Sequence, residues 1–187
     1  MKKRVSVIIP YYEVDADKPF VLNRLRNSLV PGSFDEIILV WNDRMGYAKA
    51  INKGLSLATG DYLCVMNDDL VWEVGSPRDL CKAYTVVSPR INGVSNPFWG
   101  CCFCLPRSVY EKVGGLDERY RISYYDDEDY WLTLEQAKVP LLCNEMVDVR
   151  HPQGGRTLHS MPDHREFQEE NHQKFLDKWG REPNNGH

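Results

Sequence analysis

The stretch "GYAKAINKGLSLATGDYLCVMNDDL", residues 46–70, decides the fold. Ala50, Ile51, Leu55 and Ala58 recur at helical spacing, and Thr59-Gly60 follows them. This predicts a helix over Gly46–Ala58. Asp61–Met66 is a short apolar run and predicts a buried strand. That strand ends on Asn67-Asp68-Asp69. Charges at the end of a buried strand cost desolvation energy unless water, a basic side chain or a metal ion pairs them.

Upstream, Val5, Val7, Ile8 and Ile9 mark a strand over Arg4–Pro10. Phe20, Val21, Leu22, Leu25 and Leu29 mark a helix over Lys18–Leu29, stopped by Pro31-Gly32, and Glu36–Trp41 is a further strand. The first 70 residues thus alternate strand, helix, strand, helix, strand. Such alternation builds a parallel sheet with right-handed crossovers, and ligands bind beyond the carboxyl ends of its strands. Three ends converge there: Pro10-Tyr11-Tyr12-Glu13, Asn42-Asp43 and Asn67-Asp68-Asp69. No GxGxxG or Walker-type loop follows the first strand, which argues against a dinucleotide dehydrogenase or a P-loop enzyme.

Downstream, the pattern predicts a strand at Phe98–Leu105 and a short helix at Pro106–Val113 with Pro106 in its first turn. Then come a Gly114–Asp117 turn, a helix at Asp126–Ala137, a strand at Leu141–Val149 and a helix at Asp163–Trp179 ended by Gly180. One domain over residues 1–180 is expected. A nucleotide-binding half covers about 1–70, a catalytic and acceptor half about 90–160 and a closing helix about 163–179. The Pro/Gly/Asn-rich residues 181–187 are expected to fray.

The chain has 187 residues, 42% of them hydrophobic and 27% charged, which suits a soluble domain with a real core. A net charge of -4 gives no basic field, so nucleic acid is not an expected partner. The N-terminal apolar run, Val5 to Ile9, is too short for a signal peptide or a membrane span. A cytoplasmic protein without a transmembrane segment is expected. Six cysteines include the cluster Cys101-Cys102-Phe103-Cys104, which lacks a second ligand pair at zinc spacing. Small apolar residues of a buried strand are the simpler reading.

Three polar clusters could carry chemistry. Asp69 can give a carboxylate oxygen to Mg²⁺ or Mn²⁺, and Asn67, two residues back, points the same way on an extended chain. An ordinary turn is the competing reading. In "YYDDEDYW" the acids could merely cap a helix. Helical spacing nevertheless puts Asp127 on the face of Tyr130, Trp131 and Leu134, and leaves Asp126 and Asp129 off it. A carboxylate against an apolar face has its pKa raised, which suits a general base. Asp129 is expected to hold structure or an acceptor hydroxyl. His151, after the strand Leu141–Val149, could ligate Mn²⁺ beside a carboxylate or simply cap the strand end.

Taken together, "VSVIIPYYE", "DEIILVWND", residues 46–70, "PRSVYEKVGGLDERY", "YYDDEDYW" and "VRHPQGGRT" resemble a family 2 glycosyltransferase of the GT-A fold. The resemblance runs from residue 5 to about 157, and "FLDKWG" is a familiar ending. It implies a single α/β GT-A domain: a mainly parallel, Rossmann-like sheet flanked by helices, with a small antiparallel element in the second half. It also implies inverting, metal-dependent transfer of a sugar from a nucleoside-diphosphate sugar, UDP-linked by first expectation, to an acceptor hydroxyl. By the resemblance "NDD" is the DXD-type motif, with Asn67 and Asp68 at the nucleotide and Asp69 on the Mn²⁺ or Mg²⁺. His151 completes the metal site, Asp127 is the base, and Asp126 and Asp129 lie at the acceptor. Pro10, Tyr11, Glu13, Lys49 and Asn52 match donor-binding positions, as does Asn42 or Asp43, and Trp99-Gly100 lines the donor-sugar pocket. The acceptor site is expected to be largely open, built from Ser123–Tyr125 and residues 154–162 or completed by a partner. Asn at the first DXD position and Ile51, where an arginine is common, depart from the family pattern.

No nucleophilic side chain is needed for such a displacement, and no Ser–His–Asp arrangement is evident. Two other classes stay open: a nucleotidyltransferase, which would typically carry a Gly-rich basic loop after the first strand, and a nucleotide-sugar-binding protein without catalysis.

Overall fold

The computed structural model describes residues 3–11, 18–42, 44–151 and 164–183, with the side chains of 18–21 and 164 excepted. The elements run β1 (Val5–Tyr11), α1 (Lys18–Ser28), β2 (Glu36–Trp41), α2 (Tyr47–Leu57), β3 (Tyr62–Met66) and β4 (Val71–Val74). A 3-10 turn at Pro77–Leu80 precedes β5 (Val86–Ile91), β6 (Cys102–Pro106), α3 (Arg107–Val113), α4 (Asp126–Gln136), β7 (Leu141–Arg150) and α5 (His164–Trp179).

The seven strands form one sheet in the order β2-β1-β3-β6-β5-β7-β4. Pairs β1–β2, β1–β3 and β5–β7 are parallel, while β3–β6, β5–β6 and β4–β7 are antiparallel. Following these directions across the sheet, only β6 and β4 run against the rest. This is the single, mostly parallel α/β domain expected; of its two antiparallel strands β6 lies in the second half, as expected, and β4 in the first. Two strands go beyond the sequence reading, β4 and β5. "VWEV" is four residues with two exposed, and Pro89 interrupts β5, so neither shows a clean strand pattern. Pro106 ends β6 and precedes α3 rather than lying within its first turn.

The period of two along each strand separates the core into two layers. Val5, Val7, Ile9, Cys64 and Met66 pack with Leu25 of α1 and with Leu29 just after it. Ile8, Leu63, Val65, Phe103 and Leu105 face Ile51 and Leu55 of α2, Val109 of α3, and Tyr130 and Leu134 of α4. Cys64, Cys102 and Cys104 are buried strand residues and all six cysteines are free thiols, as the simpler reading predicts. The last helix docks separately through Phe175, against Tyr120, Tyr125 and Leu132. No described helix is long and apolar enough to cross a membrane.

Candidate active site

Two antiparallel registers assemble the site. In the first, Met66 of β3 pairs with Cys102 of β6. The next step along the ladder sets Asn67 against Cys101, whose carbonyl accepts the Asn67 N–H at 2.9 Å. The Trp99–Cys101 loop is thereby held against the "NDD" end of β3. In the second register, Val71 of β4 pairs with Arg150 of β7. Asp69 stands two residues before Val71 and His151 follows Arg150, so the two chain ends meet. Asp69 Oδ1 lies 3.2 Å from His151 Nε2. Asn92 clamps the His151 backbone from both sides, its Oδ1 accepting the N–H at 2.9 Å and its Nδ2 donating to the carbonyl at 2.8 Å.

Asp69 is 9% exposed, and neither its Oδ1 nor His151 Nε2 has an aligned hydrogen-bond partner, although both atoms are buried. Burial alone would lower the His151 imidazole, but the Asp69 carboxylate and the Cys101 thiol beside it raise its pKa to about 10. A position that raises an imidazole this way favours positive charge. A carboxylate oxygen facing an imidazole nitrogen is also a donor pair suited to Mn²⁺. Among the described residues no set of three acidic, His or Cys side chains converges on one point. The pair therefore suits a cation that keeps its remaining positions for phosphate oxygens and water.

Asp127 reaches the same loop from the helical layer. The buried Tyr130 and Leu134 seat α4 on the sheet beside Phe98 and Phe103. One turn earlier, Asp127 lies directly on Gly100, where any added Cβ would overlap the carboxylate. Glycine at 100 is thus a requirement of close approach. Asp127 Oδ1 accepts the Glu128 N–H at 3.1 Å. Burial first, and the neighbouring Glu128 and Asp126 carboxyls next, push the Asp127 carboxyl well above its ordinary value. Asn96, Phe98, Glu128 and Trp131 border a cleft of about 370 Å³ that opens on Asp127 and the Trp99-Gly100 turn.

The backbone before Asp127 is strained. Ile122, Tyr124 and Tyr125 have φ of 61°, 77° and 67°, in the left-handed region that ordinary residues avoid. Asn171 of α5, fully buried, holds this segment. Its Nδ2 donates to the carbonyls of Arg121 and Ser123 at 2.8 and 2.9 Å, and its Oδ1 accepts the Arg121 N–H at 2.9 Å. The Tyr47 N–H donates to the Ile122 carbonyl at 2.7 Å.

The other expected positions divide. Pro10 is buried in β1, and Tyr11 ends that strand with its ring edge-on to Trp41. Asn42 continues the ladder, its N–H donating to the Tyr11 carbonyl at 2.6 Å, and its Oδ1 accepts the Gly46 N–H at 3.0 Å. Asp68 is half-buried beside Asp69, and Lys49 is exposed on α2. Glu13, Asp43 and residues 154–162 lie outside the described residues. Three expectations change. Asn52 is a structural clamp rather than a donor contact: its amide bonds the Leu116 N–H and carbonyl and the Glu118 carboxylate. Gly115 leaves room for that amide, which a Cβ there would overlap. Asp129 is 1% exposed, and Lys178, Trp179 and Tyr120 occupy its carboxylate, so it anchors α5 instead of an acceptor. Asp126 is 2% exposed, its Oδ2 is buried without a partner, and burial raises its pKa to about 7. It is sealed away from an acceptor.

Tyr47 and Asn171 are the residues that sequence reading passed over. Tyr47 looks like any first residue of a helix after glycine, and Asn171 like any polar residue of an exposed helix. Only their tertiary partners mark them.

Residues 34–86 match the family model for glycosyl transferase family 2. No curated protein matches the sequence. Among solved structures, a mannosyltransferase from Pyrobaculum calidifontis in complex with GDP-Man and Mn²⁺ superposes with a TM-score of 0.62 at 17% identity, over 98% of this chain and 66% of its own. The catalytic domain of Drosophila beta-1,4-galactosyltransferase 7 with xylobiose gives 0.61 at 14% identity, over 83% and 67%. A variant of that enzyme with manganese, UDP-Gal and xylobiose gives 0.60 at 13% identity over the same shares. At such identities the likeness is one of fold. This chain spans about two thirds of the length of each.

Proposed function

We propose, from the premise that this chain is a family 2 glycosyltransferase of the GT-A fold, that it moves a sugar, a hexose by first expectation, from a nucleoside-diphosphate donor to an acceptor hydroxyl with inversion. The observation that carries the reading is the convergence of two separate elements on the Trp99–Cys101 loop. Asp69 with His151 lies at one part of it, and Asp127 lies against Gly100. The Mn²⁺ complexes of the structural neighbours support a divalent ion at the first position.

Asp69 and His151 would hold that ion, which when bound supplies charge neutralisation to the departing diphosphate. Tyr11 and Asn42 lie at adjacent strand ends, where the nucleoside would sit, and UDP is the nucleotide of first choice. Asn67, Asp68 and the Trp99-Gly100 turn would border the ribose and donor sugar. Asp127, the base, accepts the acceptor's proton as its oxygen forms a bond to the anomeric carbon. The bond from that carbon to the diphosphate oxygen breaks on the opposite face, through a transition state of oxocarbenium character. A base with a raised pKa suits this task, because it must be ionised and still take a proton.

The test is a thermal-shift screen of nucleoside-diphosphate sugars with and without Mn²⁺, followed by assay of nucleoside diphosphate release in water. Metal-dependent stabilisation and slow release support a transferase. Release of pyrophosphate from a nucleoside triphosphate would instead indicate a nucleotidyltransferase. Binding without release would indicate a non-catalytic nucleotide-sugar-binding protein.

A further inference from the structure

The β3–β6 ladder sets Cys64 opposite Cys104, in the layer of the core that packs with α1. Cys81, the residue after the 3-10 turn Pro77–Leu80, reaches the same place from outside the ladder. Its Sγ lies 3.9 Å from Cys104 Sγ. The turn that carries Cys81 is held firmly. Arg78 donates to the Lys3 carbonyl at 2.9 Å and to the Asp35 carboxylate at 2.8 Å. Asn144 donates to the Asp79 carbonyl at 2.9 Å, and Leu80 is fully buried. The fold itself therefore sets the two sulfurs side by side.

The two thiols differ in access and in chemistry. Cys81 is half-buried, whereas Cys104 is 1% exposed and Cys64 is wholly enclosed. An oxidant in solution meets Cys81 before either of the others. The Cys104 contact, with Arg78 beyond it, holds the Cys81 thiol below its ordinary pKa although burial opposes them. Contacts with Cys64 and Cys81, together with burial, push Cys104 well above its ordinary value, so it keeps its proton. The thiolate is the reactive form. One member of the pair is thus fit to be oxidised and the other to resolve the product. Among the described residues no three acidic, His or Cys side chains converge on one point, so these sulfurs are not a metal centre.

We propose that Cys81 and Cys104 form a peroxide-responsive dithiol: hydrogen peroxide oxidises Cys81, and Cys104 closes it into a disulfide. In the first step the Cys81 thiolate attacks one peroxide oxygen and the O–O bond breaks. The leaving hydroxide takes up the proton the thiol released, giving a sulfenic acid and water. In the second step the Cys104 sulfur attacks the sulfenic sulfur and the S–O bond breaks. The hydroxyl leaves as water with the Cys104 proton. The dithiol gives up two electrons, and one peroxide becomes two waters. The sulfurs close from 3.9 Å to about 2 Å, a movement that side-chain rotation supplies.

The bond has two consequences. A sulfenic acid beside a thiol becomes a reversible disulfide before peroxide carries it to the irreversible sulfinic acid. The cross-link also ties the turn to β6, 23 residues on, closing a loop that contains β5 and the Trp99–Cys101 segment. The inference stands apart from the transferase reading, because neither cysteine is placed in the candidate site.

The experiment treats the whole chain with a stoichiometric amount of hydrogen peroxide, caps the remaining thiols with iodoacetamide and maps the peptides without reductant. The expected product is one bond within the chain between the Cys81 and Cys104 peptides, lighter by two hydrogens and reversed by dithiothreitol. The oxidised chain should melt about 5–10 °C above the reduced one. Cys81→Ser should leave Cys104 reduced under the same treatment. Cys104→Ser should instead let Cys81 gain two oxygens as the sulfinic acid. Should Cys104→Ser fail to fold, the wild-type map and Cys81→Ser carry the test. A bond between Cys64 and Cys104, a bond between chains, oxidation confined to Cys101 or Cys143, or a melting temperature that does not rise would overturn the proposal.

Discussion

The Tyr47 hydroxyl lies 2.7 Å from the carbonyl oxygen of Gly100, the residue on which Asp127 rests. It also lies 2.9 Å from Oδ1 of Asn67. One side chain at the start of α2 thus ties the "NDD" end of β3 to the loop that seats Asp127, the proposed base. A donor that engages Asn67 acts on the same hydroxyl that fixes Gly100. Tyr47→Phe is expected to lower kcat for transfer roughly tenfold, with little change in nucleotide affinity. The stability cost should be about 1 kcal/mol, the worth of a hydrogen bond. Steady-state kinetics beside a denaturant melt separates the two. A KM-only effect would show that the tie does not position the base.

Asp127→Asn should lose about 10²–10⁴ in transfer rate, the usual contribution of a general base, while calorimetry finds UDP affinity intact. The raised pKa adds a pH signature. Because Asp127 must be ionised, kcat/KM of the wild type should fall on the acid side along a limb centred well above the ordinary carboxylate range. A limb at the ordinary carboxylate pKa, or normal turnover by the variant, removes Asp127 from the role.

For Asp69→Ala and His151→Ala the expectation is weaker Mn²⁺-dependent UDP binding, each by about tenfold or more, with metal-free binding little changed. Calorimetry with and without Mn²⁺ reads this directly. Equal loss in both conditions would mean that these side chains contact the nucleotide and not the cation.

Asp126 makes the fold sensitive to pH. Its folded-state pKa of about 7 stands above the ordinary carboxylate value because burial disfavours the charged form. Between about pH 4 and 7 the folded chain keeps a proton that the unfolded chain has lost, so stability falls as pH rises through that window. Above about pH 7 this contribution is flat. Asp126→Asn should flatten the slope and stabilise the protein at pH 8, by on the order of 1–3 kcal/mol. Urea melts at pH 5 and pH 8 test it, and an unchanged slope in the variant would refute it.

Asp129→Ala and Asn171→Ala should differ from all of these. Removing Asp129 leaves the Lys178 ammonium without a partner that it meets at 2.7 Å, and the Trp179 N–H without its acceptor. Lys178 is partly exposed and keeps Asp117 at 2.8 Å, so the cost is that of the buried donors left unmade, about 1–3 kcal/mol, and α5 should loosen first in hydrogen exchange. Asn171→Ala frees the strained 121–125 segment, so it should also depress transfer, through the placement of Asp127.

What the sequence by itself determined is what local pattern encodes. Helical spacing and short β-branched runs marked β1, α1, β2, α2 and β3, and their alternation implied the parallel half of the sheet. Residue type at strand ends marked Asp69 and His151, and helical spacing at the start of α4 marked Asp127, as groups whose burial would need a reason. The tertiary structure decided which of them meet. The Asp69–His151 contact follows from β4 pairing with the end of β7, and β4 is too short and too exposed to announce itself. Asp126, Asp127 and Asp129 are near neighbours along the chain and chemically alike. Helix rotation and the docking of α5 give one a cleft, seal another and pair the third with Lys178. Burial and partner choice are properties of packing between distant segments, and a periodicity read along one segment does not contain them.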